Sequence, residues 1–166
     1  SPVQYRRLLR SANAWLSSSS GRRGVYVLDI WDNGSALYLD SELQSDISIG
    51  NGSGTWEFPL STYCPDARTQ TLYPAGEVGP ANSFVGLALE VTRVPGQVLN
   101  NFTIRMKHTD LSVYGSSPSW ESGGWTVVYQ SNKEIVSTGW VHFVFSEPFD
   151  YNGIQNLMID ISFNND

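Results

Sequence analysis

Charge, sulfur and histidine are all scarce in this chain of 166 residues. Charged side chains make up 16% of it, against about 25% in an ordinary soluble domain. The single cysteine, Cys64, excludes an internal disulfide and reads as a small buried hydrophobe. Two histidines, His108 and His142, stand in unrelated segments, and neither an HExxH motif nor a Cys/His metal spacing occurs. No serine lies in a G-x-S-x-G elbow. Glu90, Asp110, Glu121 and Glu134 show no spacing that marks the two flanking carboxylates of a glycosidase. No apolar run reaches the length of a membrane span. No secretory leader opens the chain, so an exported protein is expected here in its mature or trimmed form. These absences argue against an enzyme, with a jelly-roll polysaccharide-degrading enzyme kept as the third reading.

Gly, Ser, Asn and Thr fill the space that charge leaves, and aromatic residues reach 13% with six tryptophans. That mixture suits short strands joined by tight turns. From Gly24 onward the hydrophobic period is two. Val25–Trp31 and Ser35–Asp40 flank Asp32-Asn33-Gly34, a hairpin signal because both turn residues tolerate positive φ. In the segment 99–108, Phe102, Ile104 and Met106 alternate with Thr103, Arg105 and Lys107, which predicts one face toward the core and one toward water. Further strands are predicted at 47–49, 56–60, 69–73, 83–92, 125–130, 139–145 and 157–163, with a Ser/Pro/Gly-rich loop over 109–124 and a turn at 150–153. The expected fold is an all-β antiparallel β-sandwich, jelly-roll-like, of about nine or ten strands. Crossover helices for a parallel sheet are lacking.

The N-terminus reads differently. Tyr5, Leu8, Ala12 and Trp15 recur at helical spacing, which predicts a short amphipathic helix over 3–16 followed by the Ser-rich linker 17–21. Residues 1–23 carry Arg6, Arg7, Arg10, Arg22 and Arg23 and no acid, whereas the rest holds five basic and 16 acidic residues, giving +5 on the arm and −11 on the body within a net charge of −6. Two parts follow, a basic helical arm at 1–23 and a β-sandwich domain at 24–166. So acidic a body would repel phosphate, which argues against nucleic acid.

The runs Ala67-Arg68-Thr69-Gln70-Thr71-Leu72-Tyr73, Asn101–Thr109, Trp120 with Gly124-Trp125, Pro148–Gly153 and Asn156-Leu157-Met158-Ile159-Asp160 are together informative. Over about residues 47–163 the chain resembles a β-sandwich module repeated in large secreted or surface-anchored proteins of environmental bacteria. The resemblance implies an extracellular or cell-surface location and company with adhesins and carbohydrate-active enzymes. It implies no catalytic residues.

Two functions from different classes follow. The first is a non-catalytic extracellular binding or adhesion module for polysaccharide or surface glycan. Its candidate ligand groups are Trp120, Tyr114, Trp125 and Trp140, because flat rings stack on sugar faces. Trp120 and Tyr114 lie in the polar loop, whereas Trp125 and Trp140 lie in strands, where packing is the ordinary role. The second is a structural subunit of an extracellular fibre or surface layer, assembled from copies of itself. Arg6, Arg7, Arg10, Trp15, Arg22 and Arg23 would dock one arm on the acidic body of the next copy. No cofactor is expected beyond a structural calcium ion, for which Asp29, Asp32, Asp150 and Asn152 are the oxygen ligands in turns. Asp and Asn in turns more commonly hold backbone hydrogen bonds.

Overall fold

A computed structural model describes residues 13–16, 28–29, 47–48, 55, 57–116 and 118–166. The protein is mostly β, with almost no helix, and two antiparallel sheets carry it. Strands β1 (Asn13–Leu16), β2 (Leu28–Asp29) and β3 (Ile47–Ser48) are short and pair with one another in the order β2-β1-β3. The long strands are β4 (Asp66–Tyr73), β5 (Asn82–Val91), β6 (Leu99–Thr109), β7 (Thr126–Lys133), β8 (Gly139–Tyr151) and β9 (Asn156–Asn164). They form a four-stranded sheet in the order β4-β9-β6-β7 and a two-stranded sheet of β5 and β8. A single helical turn, α1 (Ala75–Val78), follows β4.

The period-two pattern explains the layering. On the inner face of the larger sheet Phe102, Ile104, Met106, Leu157, Ile159, Ile161 and Phe163 are buried. They share one apolar cluster with Phe84, Leu87, Leu89, Phe143 and Phe145 of the smaller sheet. Rings of the two sheets interlock: Phe102 stacks on Phe143 at 5.1 Å, and Tyr129 meets Phe143 edge-on at 5.3 Å. Cys64 is buried as a free thiol.

Several expected boundaries shift. The strand expected at 56–60 is a turn over residues 58–60. β8 runs on through Pro148 to Tyr151, made possible by an irregularity in its pairing with β5 between Phe84 and Gly86. The turn expected at 150–153 therefore begins at Asn152. There the Asn152 Oδ1 accepts the N–H groups of Ile154 and Gln155 at 2.9 and 3.0 Å. Gly153 has φ of +71°, and a Cβ there would lie 2.3 Å from the Ala81 nitrogen, so this position requires glycine. The predicted helix over 3–16 lies outside the described residues except at Asn13–Leu16, whose backbone is a strand. Of the hairpin expected around Asn33-Gly34, only Leu28–Asp29 falls within them.

The alternation in 102–107 holds, but its polar side is only partly open to water. Thr103 and Lys107 are 9% and 8% exposed. The loop between β6 and β7 folds back over the outer face of the larger sheet and covers Lys107 through Glu121 and Trp125, while Gln130 of β7 donates to the Thr103 hydroxyl.

Candidate functional site

On that face charged, polar and aromatic side chains converge. The register sets it out in rungs. Gln70 of β4 and Arg105 of β6 both lie opposite Asp160 of the intervening β9. Arg68 and Thr103 flank Ser162, and Leu72 and Lys107 flank Met158 in the same way. Alternation along each strand puts all of these side chains on the face away from the core.

Asp160 is the centre of the site, with its side chain fully buried. A carboxylate in that position requires saturation of its oxygens. Its Oδ2 accepts from Arg68 Nε at 2.7 Å and from Gln70 Nε2 at 2.8 Å. Its Oδ1 accepts from Arg105 Nη2 at 2.7 Å and Nε at 3.1 Å. Two guanidinium groups thus share one carboxylate, and each remains partly open, Arg68 at 31% and Arg105 at 26% side-chain exposure.

The loop is fastened above this centre through Glu121. The Gln70 carboxamide donates to the Glu121 carbonyl at 3.0 Å and accepts the Glu121 N–H at 2.9 Å, which imitates a strand pairing. The Glu121 carboxylate pairs with Lys107 Nζ at 2.9 Å. Gly123 and Gly124, at φ of +75° and +68°, then reverse the chain. The Trp125 indole returns to donate to the Glu121 carbonyl at 3.2 Å.

This fastening places three aromatic rings beside the cations. Trp120 covers the Arg68 guanidinium at 4.7 Å. Trp125 lies 5.2 Å from the Arg105 guanidinium and 5.1 Å from Lys107 Nζ. At these distances the ring faces attract the cations and hold their planes in place. The Tyr114 hydroxyl points to the Met158 sulfur at 3.7 Å. Burial, with the Glu121 and Asp160 charges adding to it and Arg68 opposing, pushes the Tyr114 phenol up to about 12. It is therefore a neutral donor at any physiological pH. All three rings are half-buried.

The structure thus brings together Tyr114, Trp120 and Trp125 of the four expected ligand residues. Trp140 lies elsewhere. It stands on β8 opposite Glu90 of β5, and it alternates with the core-packed Val141 and Phe143, so it faces away from the core on the other sheet. Among the remaining members of the site, Glu121 stands out in the sequence only as a carboxylate without a glycosidase partner, and Arg68, Gln70, Arg105, Lys107 and Asp160 are not marked there as site residues. One signal does point to them: Asp160 interrupts the apolar run Leu157-Met158-Ile159-Asp160-Ile161, and such a charge requires partners.

Of the expected calcium ligands, Asp150 is exposed opposite Ser83, and Asn152 has its carboxamide oxygen engaged by the turn. Asp29 pairs through its backbone with Asn13, and Asp32 lies outside the described residues. Among the described residues no group of three or more His, Cys, Asp or Glu side chains is arranged to hold a metal ion. The expected self-assembly residues Arg6, Arg7, Arg10, Arg22 and Arg23 lie outside the described residues, and Trp15 is placed only as a backbone position opposite Ser48.

Away from this face, a cleft of about 470 Å³ lies between residues 57–63 and 91–95, with Tyr63, Glu57 and Arg93 on its walls. No helix among the described residues is long and apolar enough to cross a membrane. No protein-family model matches the chain, and no curated protein or solved structure matches it.

Proposed function

We propose that the protein is a non-catalytic, extracellular carbohydrate-binding module built on a jelly-roll-like sandwich of nine or ten strands. The observation that carries the reading is the grouping of Tyr114, Trp120 and Trp125 on one sheet face beside fixed polar side chains. Half-buried rings held by cation stacking supply a rigid apolar surface at low entropic cost, which is what stacking on a sugar ring requires. Guanidinium donors at their edges supply the orientation. The nearness of β1 and β2 to β5 favours their belonging to the smaller sheet's side of the sandwich. The test is retention of the whole chain on a panel of soluble and insoluble polysaccharides. Binding to at least one class is expected, and no retention on any of them sinks the reading.

A further inference from the structure

We infer that the ligand of this face is an acidic polysaccharide, one that carries carboxylate or sulfate-ester oxyanions, recognised by the edges of Arg68 and Arg105. The inference rests on the carbohydrate-binding reading and narrows it. Its first support is hydrogen-bond capacity. A guanidinium has five N–H donors. Arg68 directs only Nε to Asp160, and its terminal nitrogens have no protein acceptor among the described residues. Arg105 uses Nε and one hydrogen-bonded Nη2, which leaves Nη1 without a protein acceptor there.

Geometry is the second support. Both guanidiniums hold the two oxygens of one carboxylate, which gathers two cationic groups on one strip of the sheet face. Trp120 stacks on one and Trp125 on the other, and both side chains remain partly exposed. In-plane, forked donation is the mode in which arginine recognises carboxylate and sulfate-like groups.

Charge is the third. Among the described residues Arg68, Arg105 and Lys107 pair with Asp160 and Glu121, three cations to two anions, on a chain whose net charge is −6. A positive patch on an acidic protein favours a local, oriented contact with an anion over diffuse electrostatic attraction.

The experiment compares the whole chain on polygalacturonate, dextran sulfate and neutral dextran by affinity electrophoresis at physiological ionic strength, where long-range attraction is screened. Tighter binding to one or both acidic polymers than to the neutral one is expected, by about tenfold, the worth of one good charge-assisted contact. The two acidic arms tell carboxylate from sulfate recognition. Arg68→Lys keeps the charge and a donor for Asp160 but removes the fork. It should cut the acidic-to-neutral preference by about the same factor, with the unfolding transition measured alongside. Arg105→Lys gives the second reading should Arg68→Lys unfold. Equal binding to neutral and acidic polymers, or an unchanged preference in both folded variants, overturns the acidic ligand and leaves carbohydrate binding standing. Retention on no polysaccharide overturns both.

Discussion

The side chain of Gln70 takes both backbone hydrogen-bonding groups of Glu121, at 2.9 and 3.0 Å, across 51 positions of sequence. One carboxamide thereby fixes the loop that carries all three rings of the site. The same Gln70 Nε2 also reaches Asp160 at 2.8 Å, so loop and buried carboxylate are coupled through one residue.

Gln70→Ala removes that fastening, leaves the Glu121 N–H without its partner and leaves the Glu121 carbonyl with the Trp125 indole alone. The expected loss is about 1–3 kcal/mol, the cost of leaving buried polar groups unsatisfied. Urea unfolding checks the stability. Limited proteolysis checks the place, with new cleavage expected between residues 110 and 125. A variant as stable as the parent and no more easily cut within the loop contradicts the fastening.

Asp160→Ala leaves two like-charged guanidiniums facing each other. Breaking a buried ion pair costs about 3–5 kcal/mol. Arg68 and Arg105 are partly solvated, so the lower end, about 3 kcal/mol, is expected. Denaturant titration gives the value, and a cost near zero would mean that solvent replaces the carboxylate without penalty.

Gly153→Ala tests the turn between β8 and β9. The added methyl group would press on the backbone of Pro80 and Ala81, which side-chain rearrangement does not relieve. The expected destabilisation is about 1–3 kcal/mol. It is read from the thermal midpoint, and a midpoint equal to the parent's contradicts the close approach.

His108 gives the protein a pH dependence. Its ring stacks on Tyr151 at 5.7 Å, lies 5.0 Å from Phe149, and its Nε2 accepts the Asn152 N–H at 3.1 Å. Burial lowers its pKa, and burial together with the Lys133 charge lowers that of His142. Each ring therefore binds its proton more readily when the chain is unfolded. The stability they contribute is complete above the unfolded histidine pKa of about 6.5 and falls as pH drops below it. Urea midpoints should decline from pH 7.5 to 5.5 (about one unit either side of that value), and His108→Gln should reduce the decline. An identical slope in the variant contradicts the role of His108.

Much of the fold was legible because strand pattern is local. The alternation of Phe102, Ile104 and Met106 with Thr103, Arg105 and Lys107 predicted β6 and its core face. The partial cover of the polar face was not legible, because it comes from the loop after β6, and no residue within β6 records that fold-back. The rings at Tyr114, Trp120 and Trp125 stood out by type. The ionic centre under them did not, because it exists only once register sets Gln70 and Arg105 on either side of Asp160. Trp140 has the same chemistry as Trp120 but stands on the other sheet, a distinction that depends on strand order.

The most direct test of the account is glycan retention by Trp120→Ala, measured beside its unfolding transition. Trp120 stacks on Arg68 from the loop, outside the apolar core that unites the two sheets. The account predicts a folded variant whose retention on the polysaccharide bound by the parent falls by about tenfold or more, a loss in the range set for one aromatic contact. A folded variant with an unchanged retention profile would contradict it.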